Sequence, residues 1–333
     1  MIDNFGDAGV CWRLADALTR QHHDTVTLWI DRPEVLDQLA PRQQHVRVHR
    51  WAPHDGSGAR LSADDLPDVL VEAFGCALPD EYLADVFQKR RGVAWINLEY
   101  LSAEPYVRRS HGLPSPVTRG PAAGLTKWFF YPGFEPGTGG VPWGNLPPPA
   151  AAGPHALLFG YDNPALPSAC EALLAHGLLP QLAAGSAADE LAWRAPHLAG
   201  RVVRLPFLPQ TQFDATLATA RLAVVRGEDS FVRAQLAARP FVWHIYPQHD
   251  GAHWPKLHAF FERYAQGLGA TPRDALWALW QGWNERNADA PTWHAVLQQL
   301  PLLEQHALAW RERLLVLGDL TVHLRDFALS KLK

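Results

Sequence analysis

Along the first half of the chain, the spacing of apolar residues switches repeatedly between a helical and a strand period. From Gly9 to His22 the positions Val10, Leu14, Ala17 and Leu18 recur at helical spacing and so share one face. Thr25–Ile30 follows as a β-branched run, then a helix over 33–39 and a strand over Val46–Trp51. Further strands are expected at Val69–Glu72, Val93–Asn97 and Lys127–Tyr131, with a helix at Asp80–Lys89. Helix and strand in alternation predict an α/β fold built on a parallel sheet covered on both faces.

The pattern breaks over 136–154, which reads PGTGGVPWGNLPPPAAAGP. Proline and glycine at this density sustain neither helix nor ladder. Alternation then resumes, with strands at His155–Gly160, Leu179–Ala183, Val202–Leu205, Leu222–Val225 and Phe241–His244 and helices at Leu166–His176, Thr211–Thr219 and Asp229–Ala238. From Ala252 onward the pattern is helical, and its last segment, Leu303–Leu329, is long enough to reach back over the first half. The expected division is a Rossmann-like domain over 1–138, a linker over 139–154, a second Rossmann-like domain over 155–302 and a returning helix over 303–333.

Composition narrows the class. With 333 residues, two domains are the default. A net charge of −4 disfavours nucleic-acid binding, which needs a basic surface. The 14 tryptophans are expected in cores and interfaces. Cys11, Cys76 and Cys170 form no CxxC pair, which points to buried thiols in a reducing compartment. No apolar run approaches the roughly 20 residues of a membrane span, and no secretory signal is recognisable, so a cytoplasmic protein is expected.

Four segments differ from ordinary packing sequence. Asp3-Asn4-Phe5-Gly6-Asp7-Ala8-Gly9 reads as a glycine-bearing loop before the first helix, with two carboxylates that suit a cationic substrate better than a phosphate. Asp7 is explained equally well as a helix cap. Asn97–Glu104 is a polar, acidic loop after a strand, fit for an acceptor wall or for plain solvation. Arg226-Gly227-Glu228-Asp229-Ser230-Phe231 follows a strand and opens a helix. There the free N–H groups, the close approach allowed by Gly227 and the Arg226 cation together suit a diphosphate. Capping accounts for Asp229 and Ser230 without function, but not for Arg226 or Glu228. Phe241–Gln248 runs from strand into an aromatic loop, leaving His244, Tyr246 and Gln248 as further candidates. The 16 histidines show no ligand spacing and there is no Asp-x-Asp pair, so neither a metal nor any other cofactor is expected.

Taken together, the runs DNFGDAGVCWRLA, INLEYLSAEP, HGLPSP, FFYPGF, RGEDSFVRAQ and PFVWHIYPQ resemble the bacterial protein-arginine rhamnosyltransferases that modify translation elongation factor P. The two α/β halves suit the Rossmann-like pair called GT-B, and the resemblance implies the same fold. It further implies an inverting transfer from dTDP-β-L-rhamnose, with the donor in the second domain and the acceptor protein docked on the first. Position by position, Asp7 resembles the general base, Asp3 the second loop carboxylate and Glu228 an essential acid. Arg226, Gly227, Asp229 and Ser230 match the diphosphate segment, and Phe159, Tyr161, Gln210 and Phe213 match positions around the thymine nucleoside. The family pattern has a strand leading into DNFGD, whereas Met1-Ile2 stands there here, so the first strand of the N-terminal sheet is expected to be missing. Two rival readings remain: a GT-B transferase or epimerase with a small acceptor, and a non-catalytic binding protein.

Overall fold

The computed structural model describes residues 4–41, 45–50, 66–90, 92–144 and 150–332. The chain folds into two compact units. The N-terminal unit comprises Val10–Val35, Gln43–Gly144 and Leu317–Lys333. The C-terminal unit comprises Met1–Gly9, Leu36–Arg42 and Asn145–Val316. The boundary at Gly144/Asn145 falls inside the proline- and glycine-rich stretch, of which 145–149 lie outside the described residues.

The chain opens with α1 (Asn4–His22), β1 (Thr27–Ile30), α2 (Glu34–Leu39), β2 (Arg47–Arg50), β3 (Val69–Ala73), α3 (Asp80–Lys89), β4 (Ala94–Leu98), α4 (Pro105–Ser110), β5 (Pro114–Pro116) and β6 (Thr126–Phe130). The strands form two sheets rather than one: a parallel β1-β2 pair and a four-stranded sheet ordered β3-β4-β6-β5, with only β5 antiparallel. Among the described residues no ladder joins β1 to β3. From Asn4 to Gly9 the expected loop is helix: α1 already includes Asn4, and Gly6 and Gly9 are helical rather than turn residues. Asp3 lies outside the described residues. Helix wins here because Asn4, in the first turn, is followed by an apolar face that packs, and packing offsets the low helix propensity of glycine.

The C-terminal unit continues with β7 (His155–Leu158), α5 (Leu166–Ala175), β8 (Leu179–Leu182), α6 (Ser186–Arg194), β9 (Val203–Arg204), α7 (Gln210–Thr219), β10 (Leu222–Arg226), α8 (Asp229–Leu236) and β11 (Phe241–His244). All five strands are parallel, in the order β11-β10-β7-β8-β9. The helical tail is α9 (His253–Tyr264), α10 (Ala270–Asn284), α11 (Ala290–Gln298) and α12 (Leu300–Leu317), followed by α13 (Leu320–Leu329). Periodicity missed α6, a short helix in which Leu191 and Trp193 are the large apolar side chains, two residues apart rather than at helical spacing.

Tryptophan packs much of this unit, as composition suggests. Trp280, Trp283 and Trp293 are fully buried, and Trp280 donates its indole N–H to the Phe241 carbonyl at 2.9 Å. Phe231 stacks on Trp243 with ring centroids 3.9 Å apart. Trp193, 84% exposed, is the exception.

The expected single helix over 303–329 is broken. Gly318 takes φ +92°, a left-handed conformation that ends α12, and Asp319 then caps α13. Residues of α12 bond to the C-terminal unit, Trp310 to Gln235 at 2.8 Å and Arg311 to the Leu236 carbonyl at 2.7 Å. Only α13 belongs to the N-terminal unit, where Leu320, Leu324 and Ala328 pack with Leu14, Ile96, Leu98 and Phe130. Asp319 is buried, accepts the backbone N–H groups of Thr321 at 3.2 Å and Trp143 at 3.0 Å, and thereby ties α13 to residues 141–143. Asp319→Ala leaves both N–H groups without that partner and should cost about 1–3 kcal/mol. A lowered urea midpoint for the N-terminal unit, measured by its own fluorescence or exchange signal, checks this.

Candidate functional site

In an open parallel sheet, ligands bind beyond the carboxyl ends of the strands where the winding direction reverses. From β7 the chain moves outward through β8 and β9, then returns to place β10 on the other side of β7. The reversal therefore lies between β7 and β10. Beyond β7 comes Phe159-Gly160-Tyr161, and at the end of β10 comes Arg226-Gly227-Glu228. These are the segments singled out in the sequence.

The turn after β10 is fixed from several directions. Gly227 has φ +62°, which an L side chain rarely adopts. Its carbonyl accepts the Trp243 indole N–H at 3.0 Å. The Ser230 hydroxyl donates to the Arg226 carbonyl at 2.5 Å and accepts the Arg226 N–H at 3.1 Å. Glu228 stands immediately before α8, and its carbonyl accepts Val232 N–H at 3.0 Å. Asp229 lies in the first turn of α8. The N-terminal end of a helix carries partial positive charge, which favours an anion.

Arg226 is placed by aromatic faces. Its guanidinium carbon lies 4.4 Å from the Phe159 ring centroid and 4.9 Å from that of Tyr161, and Nη1 donates to the Gly160 carbonyl at 3.4 Å. Phe159 in turn meets Phe213 edge-on at 5.2 Å. Stacking on two rings holds a planar cation with less loss of rotamer freedom on binding than a free side chain would suffer.

Gln210, the first residue of α7 and 7% exposed, joins two further pieces. Its amide nitrogen donates to the Gly9 carbonyl at 3.1 Å and to the Asp229 carboxylate at 3.3 Å. A Cβ on Gly9 would stand 2.9 Å from that nitrogen, so glycine permits the approach. Asp7 is two residues away in the first turn of α1 and buried. The structure thus brings the Asp7 turn, Gln210, Asp229, Arg226, Phe159, Tyr161 and Phe213 into one unit, with Glu228 and Ser230 in the same turn.

Sequence reasoning missed an ion cluster beside Tyr161. Asp162 pairs with Arg286 at 2.8 Å and Arg194 at 3.3 Å. Arg286 is distant in sequence and on a short turn after α10, so no local pattern marks it. Of the fourth segment, His244 is buried, with Tyr161 N–H donating to its Nδ1 at 3.2 Å. Tyr246 is 42% exposed and meets Tyr161 edge-on at 5.6 Å.

The N-terminal unit carries the Asn97–Glu104 segment at the carboxyl end of β4. Asn97 donates its amide to Glu99 at 2.6 Å, and the Ser102 hydroxyl to Glu104 at 2.9 Å. Tyr106 and Tyr131 meet edge-on at 5.8 Å. Burial first, and then the neighbouring Glu104 and Glu99 carboxylates, raise the Tyr106 hydroxyl; burial and then Glu99 raise Tyr131. Both phenols therefore stay neutral hydrogen-bond donors beside carboxylates. Periodicity did not point to this tyrosine pair, because its members come from separate elements.

Comparison with known proteins decides the family. The sequence signature of the elongation-factor P (EF-P) rhamnosyltransferase EarP family matches residues 1–147 and 142–329. The chain belongs to the EarP family. It is 36% identical to a protein-arginine rhamnosyltransferase of Pseudomonas putida, over 98% of this chain and 96% of that one. The corresponding Pseudomonas aeruginosa protein is 35% identical with the same coverage, and that of Neisseria meningitidis serogroup B is 34% identical over 94% and 89%. A solved structure described as the structural basis for EarP-mediated arginine glycosylation of translation elongation factor EF-P superposes with a TM-score of 0.57. It shares 26% identity and covers 98% of this chain and 96% of its own. Like its EarP relatives, the chain is a glycosyltransferase, and its two units are Rossmann-like α/β domains built mainly on parallel strands. Among the described residues, no helix is long and apolar enough to cross a membrane, and no group of three or more His, Cys, Asp or Glu is arranged to hold a metal ion.

The His244 environment gives a direct expectation. Burial, followed by the charges of Arg226 and Arg286, pushes its imidazole down to about 3. In the unfolded chain the ring protonates below about 6.5. Because the folded state binds that proton less readily, His244 withdraws stability as pH falls below about 6.5. Histidine ring NMR should show His244 neutral, with its proton on Nε2, from pH 8 down to pH 5. A ring that titrates near 6.5 would contradict the buried geometry.

Proposed function

We propose that this chain transfers rhamnose from dTDP-β-L-rhamnose to an arginine side chain of translation elongation factor P, in the cytoplasm and with inversion at the anomeric carbon. The observation that carries this reading is the convergence of Arg226, the first turn of α8 and the Phe159/Tyr161/Phe213 aromatic group at the winding reversal of the C-terminal sheet. Cation and helix N-terminus suit a diphosphate, and apolar rings suit a pyrimidine nucleoside. The names of the EarP relatives supply arginine as acceptor and rhamnose as the transferred sugar. On the N-terminal unit, Glu99 and Glu104 beside two neutral phenols offer an acidic, aromatic surface for a protein that presents an arginine.

The chemistry joins a guanidinium nitrogen to the anomeric carbon as the bond from that carbon to the diphosphate oxygen breaks. Attack from the face opposite the leaving group inverts the centre. Arginine has a pKa above about 12, and a carboxylate near its usual value of about 4 cannot deprotonate it beforehand. A mismatch of about eight units corresponds to roughly 11 kcal/mol. In this proposal Asp7 and Asp3 clamp the guanidinium and hold its charge away from the attacking nitrogen. One of them takes the proton late, once bonding to carbon has made that nitrogen acidic. Glu228 serves as a further acid at the turn. Arg226 and the α8 N-terminus stabilise the departing diphosphate, with no metal required.

Intact mass spectrometry of elongation factor P, after incubation with this chain and dTDP-rhamnose, tests the proposal. A gain of one deoxyhexose is expected, and Asp7→Ala should abolish it while dTDP binding measured by calorimetry persists. Equal loss of dTDP binding in Asp7→Ala would refute this division of labour, and no gain with the unaltered chain would refute the function. A separate expectation concerns Arg226→Lys, which keeps the charge but loses the planar stack. It should weaken dTDP binding about tenfold, read in the same calorimetric assay.

A further inference from the structure

His244 is the last residue of β11 and lies directly opposite Arg226 in the parallel β10–β11 register. Both therefore stand at the carboxyl end of the sheet, beside the winding reversal. The ring is 4% exposed and fixed on three sides. Tyr161 N–H donates to Nδ1 at 3.2 Å, Tyr161 meets the ring edge-on at 5.1 Å, and Trp283 meets it edge-on at 5.8 Å. Gly160 makes room, since a Cβ there would come within 3.0 Å of Nδ1.

With Nδ1 accepting, the ring proton of the neutral imidazole is confined to Nε2. That N–H has no hydrogen-bond partner among the described residues. Unlike the Trp283 indole nitrogen, Nε2 is not sealed from solvent, so a ligand oxygen can reach it. The groups facing the ring are Arg226, Arg286 and Asp162, with Tyr161 and Tyr246 alongside. Arg286 is paired with Asp162 at 2.8 Å, so Arg226 is the cation that, with the fixed N–H donor, selects an anion, and a neutral ring adds a donor without repelling it.

We propose that His244 is a further donor-binding residue, whose Nε2–H gives a hydrogen bond to a phosphate oxygen of the bound nucleoside diphosphate. This rests on the reading that the C-terminal unit holds a nucleotide-linked sugar. It adds to that reading a contact that distinguishes diphosphate from nucleoside. Tyr161 acts as the positioning residue, through its backbone N–H.

The test compares dTDP and thymidine binding by calorimetry in the unaltered chain, His244→Asn and His244→Gln. An asparagine amide can accept from Tyr161 N–H but does not reach the Nε2 position, whereas a glutamine amide does reach it. His244→Asn should weaken dTDP binding about tenfold or more and leave thymidine binding unchanged, and His244→Gln should restore most of the loss. Undiminished dTDP binding in His244→Asn would overturn the proposal. So would equal weakening of dTDP and thymidine, which would mark a packing role only. If the asparagine variant does not fold, the unaltered chain still decides. The His244 Nε2 resonance should shift on adding dTDP and not on adding thymidine, and a resonance indifferent to dTDP sinks the contact. Failure of the unaltered chain to bind dTDP at all would instead remove the donor reading itself, and this contact with it.

Discussion

Strand β10 carries a ladder on both edges, to β7 and to β11, and every residue from Leu222 to Val225 is fully buried. Its exit is consequently fixed in space. What emerges from it, Arg226 and then the left-handed Gly227, has no freedom that the sheet does not grant. Ser230 closes the turn onto both the N–H and the carbonyl of Arg226, and Trp243 pins the carbonyl of Gly227. Fixed charge at a strand end is what a diphosphate site needs, because stabilisation by a dipole or cation is largest when nothing must reorganise on binding. The aromatic faces under Arg226, the Gln210 bridge and the His244 ring are all arranged around that point.

The same logic explains how the carboxylate-bearing first turn of α1 is held close to the turn after β10. Gln210 is neutral, and its amide nitrogen joins the Gly9 carbonyl to the Asp229 carboxylate. A charged residue in its place would bias one side or the other. Asp7 follows the first residues of α1, where the helix dipole favours a negative charge. The Asp7 turn and the turn after β10 are thus joined by a neutral linker only one side chain long.

The N-terminal unit is put together differently. Among the described residues its strands fall into two sheets with no ladder between β1 and β3, and its core includes α13 from the far end of the chain. Asp319 and Gly318 make that return possible, one by accepting two backbone N–H groups and the other by a backbone conformation that ends α12. The EarP signature runs over both units, so the family relationship covers the mixed origin of this core as well as the turn after β10.

Much of this is legible from the chain alone. Alternating periods place helix Asp80–Lys89 and strand Phe241–His244 to the residue, because strongly periodic segments are governed by local burial. Uncommon words such as RGEDSF mark the turn after β10, because glycine, cation and carboxylates at a strand end have few structural uses. The Asn4–Gly9 stretch reads locally as a loop and folds as a helix, since two glycines outweigh helix formation until the helix packs. The break at Gly318 is hidden inside a continuous apolar pattern. Tertiary structure alone decided that Arg226 stacks on Phe159 and Tyr161, that Gln210 spans Gly9 and Asp229, and that Asp162 finds Arg286. The same holds for a partner of His244 that turns out to be a backbone N–H. Each of these joins residues tens to hundreds of positions apart, and sequence spacing carries no record of which distant side chains a parallel sheet will set side by side.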